Sequence, residues 1–141
     1  MKGEARTTVN APPETLFHMV SDVTRMGEWS PETFSCEWVG DATGPAVGAR
    51  FKGRNRMGPA KWATTPKVVA CEPGREFAFD TGMMTWRYQF EPVEGGTQVT
   101  ESWDAHTFFA KASVAVWRGR QLTAGMRKTL ANLKRAAEAA N

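Results

Sequence analysis

From Phe108 to Ala140 the sequence contains no proline, and a stripe of small and apolar residues runs through it in steps of four and three. The stripe is Ala112, Val116, Gly119, Thr123, Met126, Leu130, Leu133 and Ala137, with Leu122 widening it. Such steps keep side chains on one face of an α-helix, and that face must be covered by another surface. The segment can supply a helix of about thirty residues, ~45 Å long if unbroken. Gly119 and Gly125 are its weak points, where a break or bend is expected.

The cover for this helix has to come from the preceding two thirds, which read as strands. Lys2 to Asn10 alternates, with Ala5, Thr7 and Val9 on one face and Glu4, Arg6 and Thr8 on the other. Asn10-Ala11-Pro12-Pro13-Glu14 then opens a helix carried by Leu16, Met19, Val20 and Val23. Gly27 is expected to interrupt it, and Trp29-Ser30-Pro31 to end it. Strands are predicted over 34–39, 49–57, 61–71, 75–80, 84–91 and 97–105, with Pro66 implying an edge position or a bulge. Gly58-Pro59, Glu72-Pro73-Gly74, Thr81-Gly82 and Glu94-Gly95-Gly96 separate them. Connections this short suit antiparallel hairpins rather than βαβ crossovers. The expected class is therefore α+β: one strand, two short helices, six more strands and a long helix. A chain of 141 residues suits one domain, 1–141.

Composition narrows the function classes. No run approaches the ~18 apolar residues of a membrane span. The opening Met1-Lys2-Gly3-Glu4-Ala5-Arg6 has no apolar core of a secretory signal, so a cytoplasmic protein is expected. Cys36 and Cys71 share no ligand spacing and read as reduced thiols; neither a metal nor an organic cofactor is expected. Six Trp and eight Phe stand against one Tyr, and six Trp is roughly three times average usage for this length.

Several phrases resemble the START-like, or SRPBCC helix-grip, superfamily of polyketide cyclase/dehydrase and lipid-transport proteins. They are Val9-Asn10-Ala11-Pro12-Pro13-Glu14, Val20-Ser21-Asp22-Val23, Trp29-Ser30-Pro31, Glu72-Pro73-Gly74-Arg75, Trp86-Arg87-Tyr88-Gln89-Phe90-Glu91-Pro92 and Gly95-Gly96-Thr97-Gln98-Val99-Thr100-Glu101. They run from the first strand to the last, and the long final helix agrees as well. The resemblance implies a curved seven-stranded antiparallel sheet gripping the C-terminal helix around an elongated cavity. It also implies hydrophobic small molecules or lipids as ligands, with cyclisation or aromatisation of polyketides in some members.

In a sheet of that kind one parity of each strand faces inward. The apolar parity selects Phe51, Asn55, Met57, Trp62, Thr64, Phe77 and Phe79, then Trp86, Tyr88, Phe90, Val99, Glu101 and Trp103. Asn55, Trp62, Thr64, Phe79, Trp86, Tyr88 and Trp103, with Leu122 and Met126 from the helix, are the candidate ligand contacts. Glu101 and Asn55 are the anomalies, because a buried carboxylate must be paired, hydrogen-bonded or protonated. Glu101 is the candidate catalytic acid or base; the alternative pairs it with Tyr88 or an inward Arg. Asn55 can equally satisfy backbone groups at a bulge, and the aromatic residues can simply be core. Trp29 suits a cavity mouth or a lid packed over the short helices. His18 and His106 read as structural, His18 facing solvent.

Arg50, Lys52, Arg54 and Arg56 line one strand face. Lys111, Arg118, Arg120, Arg127, Lys128, Lys134 and Arg135 follow with no acid between Ala105 and Ala137, within a net charge of +3. Nucleic-acid binding is not expected. The aromatic residues alternate onto the opposite strand face, and the helical cations spread around more than half the circumference, as on a solvated surface. The expected activity is carriage or sequestration of a hydrophobic, ring-containing molecule. The alternatives are a cyclase, aromatase or dehydratase on the same scaffold, and an interaction protein with a collapsed cavity and a basic surface. Oligomeric state is left open.

Overall fold

A computed structural model describes residues 2–113, 115 and 118–140; Val116 of the predicted stripe lies outside them. The alternating segments become strands β1 (Lys2–Val9), β2 (Thr33–Val39), β3 (Arg50–Met57), β4 (Ala60–Thr64), β5 (Lys67–Glu72), β6 (Glu76–Asp80), β7 (Met84–Val93) and β8 (Gly96–Ala105). All pair antiparallel, and seven of them follow the order β1-β8-β7-β6-β5-β3-β2 around a curled half-barrel. The expected α+β helix-grip architecture is the one observed.

The eighth strand comes from Pro66. The stretch 61–71 is two strands, not one, because a proline has no N–H for the ladder and fixes its own φ. β4 pairs with β3 from Gly53↔Thr64 to Met57↔Ala60, whereas β5 meets β3 only at Arg50↔Lys67. The two halves of β3 therefore have different partners. Curvature has visible sources elsewhere: register shifts at Thr33/Ser35 in β2 and at Val68/Ala70 in β5 leave Phe34 and Val69 as extra, exposed residues. Bulges of this kind bend and twist the strand that carries them.

Two short helices follow β1: α1 (Pro13–Ser21) and a 3₁₀ helix (Val23–Glu28). The break falls at Asp22, whose carboxylate accepts the Thr24 N–H, and not at Gly27 as expected. Gly27 serves a different need. A Cβ there would stand 2.7 Å from the carbonyl oxygen of Phe34, so the backbones of the 3₁₀ helix and β2 touch through it.

The proline-free third forms α2 (Phe108–Ser113) and α3 (Gly119–Ala139), the latter of 21 residues and about 31 Å. Gly119 begins α3, while Gly125 lies inside it against Pro31. Leu122, Met126, Thr129, Leu130, Leu133 and Ala137 are the buried face. Ala112 is exposed and Thr123 only half-buried, so the stripe is rotated toward Thr129 compared with its sequence reading. The far end of α3 is docked on β1 and the turn after it. Lys134 Nζ donates to the Thr8 carbonyl (2.7 Å), and Glu138 Oε2 accepts from Asn10 N–H (3.0 Å). The core lies beneath, with Leu16, Phe17, Val23, Phe51, Phe77 and Val99 nearly inaccessible.

Candidate functional site

Where the first half of α3 crosses the concave face of the sheet, the core does not close. A cavity of about 310 Å³ remains there. Its wall follows strand register. Cross-strand pairing sets Trp62 opposite Asn55, Thr64 opposite Gly53, Trp86 opposite Phe79, and Glu101 opposite Tyr88. Leu122 and Met126 close it from α3. Asn55, Trp62, Thr64, Phe79, Trp86, Tyr88, Glu101, Leu122 and Met126 are thus brought together as lining.

Trp103 is the exception among the candidate contacts. It is buried, but its indole lies over Gly3 on β1 and it is not part of the lining. A Cβ on Gly3 would fall 2.5 Å from that ring, so the indole fills the space of the missing side chain. Parity put Trp103 inward correctly. Position along the sheet, which parity does not report, put it on the β1 side instead of the cavity.

Glu101 is 4% exposed, and its Oε1 has no hydrogen-bond partner among the described residues. Burial pushes its pKa up to about 8; the neighbouring Tyr88 hydroxyl opposes the shift but does not cancel it. The carboxyl is therefore neutral at neutral pH and can donate a hydrogen bond into the cavity. Burial, and after it the nearby Glu101 carboxylate, hold the Tyr88 phenol well above its ordinary range, so Tyr88 also remains protonated. No inward arginine pairs with Glu101 among the described residues. Asn55, a lining residue, accepts the Thr33 hydroxyl on its Oδ1 at 2.5 Å, so the donor of its amide is not used in that bond.

Sequence reading missed the polar rim. Arg118, assigned to the solvated face, lines the cavity, pairs with Glu32 at 2.8 Å and donates to Gln121 Oε1 at 2.9 Å. Gln121 Nε2 in turn reaches the sulfur of Met57, an inward-parity residue that is half-buried at this rim. A signal was present: Arg118, Leu122 and Met126 follow one another at i, i+4, which places them on one side of a helix. Trp29, by contrast, is a packed lid and not a mouth. It is 2% exposed, stacked under Arg25 and held through its carbonyl by Asn132 Nδ2. His18 faces solvent, and His106 Nε2 lies 3.1 Å from Asp80 at the end of β6. Among the described residues no cluster of His, Cys, Asp and Glu is arranged to hold a metal ion, and no helix is long and apolar enough to cross a membrane.

Cys36 also lines the cavity, and burial pushes its thiol up to about 11. Cys71 is raised by burial as well but is less enclosed. Because the thiolate is the reactive form, iodoacetamide should label Cys71 first, with Cys36 slower by more than about tenfold. Peptide mass mapping over time reads the order, and equal rates would show that the cavity wall opens freely.

Residues 1–138 match the family described as polyketide cyclase / dehydrase and lipid transport. Among solved structures, a Polyketide_cyc-like protein from Corynebacterium glutamicum is 36% identical, with a TM-score of 0.65 over 97% of this chain and 91% of that one. An AHSA1-like protein from Aeromonas hydrophila is 25% identical, with a TM-score of 0.70 over 99% of this chain and 94% of its own. A Thermus thermophilus protein shares the fold at 15% identity, with a TM-score of 0.78 over 100% and 99% of the two chains. No curated protein matches. With its family matched from the first strand to the end of α3, the chain belongs to the polyketide cyclase / dehydrase and lipid transport family of helix-grip proteins.

Proposed function

We propose that the protein binds a hydrophobic, ring-containing small molecule or lipid in this cavity, as a carrier or sequestering protein. One observation carries the reading: a hollow of about 310 Å³ with a mostly apolar wall includes the buried Glu101 carboxyl, one oxygen of which has no hydrogen-bond partner among the described residues. Small-ligand sites have this composition, with few polar groups set into an apolar wall at volumes of roughly 300 Å³ and above. Among the described lining residues Arg118 is the one cation, and Glu32 already neutralises it. An uncharged ligand is therefore favoured. The hollow also counts against a collapsed interior.

A second reading keeps the cavity and adds chemistry. Glu101 carries its proton at neutral pH, so it can pass that proton to a hydroxyl leaving as water or to the oxygen of a closing aldol. Native mass spectrometry of the purified protein should show an added apolar mass that denaturation releases. Protein that is empty as purified and indifferent to added apolar ring compounds would overturn the binding proposal. Glu101→Gln separates the two readings. Retained binding with lost turnover supports the enzyme, whereas weakened binding without turnover at any stage supports the carrier.

A further inference from the structure

On the inner face of β3 the lining runs Phe51, Gly53, Asn55, and the glycine has no conformational reason to be there. Its φ is not positive, unlike that of seven other glycines of the chain. A Cβ added to it would make ordinary contacts, 3.5 Å to Cys36 Sγ and 3.8 Å to Thr33 Cγ2 and Thr64 Oγ1. No backbone approaches within that range, so close chain packing does not require it. Gly53 marks no bulge, since register is unbroken through Cys36↔Gly53↔Thr64 and the bulges sit at Phe34 and Val69. A mid-strand glycine nevertheless weakens a strand relative to alanine. Close approach of a ligand is a further reason for a glycine inside a strand, and here the glycine lies on the cavity wall.

The neighbours give that approach a shape. Cys36, Gly53 and Thr64 form a row of small residues across β2, β3 and β4, all on the cavity wall. Phe51 bounds the row on one side, and Asn55, with Trp62 opposite, bounds it on the other. Phe51 and Asn55 are four residues apart on one strand, ~13 Å. The small row is thus flanked by an aromatic ring on one side and by Asn55 with Trp62 on the other.

We propose that Gly53 is a specificity-determining residue: it leaves bare backbone as the floor on which a flat, fused-ring ligand lies, with an oxygen of that ligand accepting from the Asn55 amide. This rests on the cavity being a ligand site and goes further by naming the ligand class and the residue that selects it. A puckered, saturated ring of the same skeleton is thicker and fits this row poorly. A side chain on residue 53 would raise the floor and remove the preference.

Calorimetric titration of naphthol and of decahydronaphthol into the wild type, Gly53→Ala and Gly53→Val tests it, with urea unfolding of all three alongside. The wild type should bind naphthol more tightly than decahydronaphthol. Gly53→Val should weaken naphthol about tenfold or more, in line with one or two misplaced carbons in an apolar pocket, and Gly53→Ala should weaken it less. Unfolding midpoints of the variants should equal or exceed that of the wild type. If Gly53→Val does not fold, Gly53→Ala alone decides. Equal naphthol affinity in wild type and variants overturns the role of Gly53 and leaves the cavity reading standing. A lower midpoint for Gly53→Ala also overturns it, by making the glycine structural, and equal binding of the two compounds to wild type overturns the flat-ring class. Failure of both compounds to bind wild type overturns both this proposal and the cavity reading.

Discussion

Raising the pH from about 4.5 to about 8 should remove on the order of 4 kcal/mol of stability from the wild type and leave Glu101→Gln without that loss. The sign follows from where the proton resides. An exposed glutamate in the unfolded chain releases its proton near its ordinary 4.5, whereas buried Glu101 holds it to about 8. Between those values the native state binds more protons than the unfolded state, so stability falls as the pH rises. The contribution is complete below about 4.5 and gone above about 8. Glutamine is nearly isosteric with the protonated acid and has nothing to release, so the variant should be the more stable protein through most of this window. Other titrating groups are present in both proteins and cancel in the difference. The carboxylates held below their ordinary range, Asp80, Glu28 and Glu138, act at the acid end with the opposite sign and cancel too. Urea unfolding across the window reads the difference directly. Parallel profiles would falsify the assignment of a protonated acid in the cavity wall.

That experiment also bears on function. A ligand oxygen accepting a hydrogen bond from Glu101 would favour the protonated form and extend its stability to higher pH. Loss of the proton would place an uncompensated charge in an apolar wall and expel such a ligand. In the wild type, stability should therefore decline between about pH 4.5 and 8, and affinity only above about 8, where native Glu101 releases its proton. In Glu101→Gln neither should.

Periodicity made most of this fold legible, because a sheet and a helix that share one core must each commit a face to it. The parity of β7 and β8 put Tyr88 and Glu101 inward and adjacent, and the register Tyr88↔Glu101 is what couples them. Parity could not report position along the strand. Trp103 is two residues from Glu101 on the same face, yet it packs on Gly3 while Glu101 reaches the cavity. Pro66 was legible as an interruption but not as a division into two strands, because that outcome depends on what β3 pairs with on either side. Arg118 was hidden by its own chemistry. A long cation in an acid-free helical stretch looks solvated until Glu32, 86 residues away in sequence, is folded beside it. The small residues were the hardest to read, since a glycine can mark a turn, a close contact or an open floor. Only the surroundings distinguish Gly27, Gly53 and Gly96.

Gly96→Ala should be the most damaging of these substitutions, costing more than about 3 kcal/mol and leaving little soluble protein. Two independent obstacles meet at this position. Its φ is +138°, a region that L side chains rarely adopt, and an added Cβ would stand 2.0 Å from the Val9 carbonyl oxygen and 2.9 Å from Asn10 Cα. Those atoms are backbone and have little freedom to move. Val9 is fully buried and pairs with Thr97, whose hydroxyl donates to the Ala11 carbonyl at 2.7 Å. Asn10 is tied to Glu138 at the end of α3. Displacing this corner would therefore loosen β1, the entry to α1 and the docking of α3 together. Gly95, next to it, has a φ of +88° but nothing within 4 Å of its would-be Cβ, so Gly95→Ala should cost only about 1–2 kcal/mol of backbone strain. Gly53→Ala, with ordinary φ and ordinary contacts, should cost nothing or stabilise slightly. Denaturant midpoints of the three alanine variants should fall in that order, with Gly96→Ala lowest. Wild-type stability in Gly96→Ala would mean that the β1–α1 corner yields, and α3 would then not be held against the sheet as tightly as its hydrogen bonds to Thr8 and Asn10 imply.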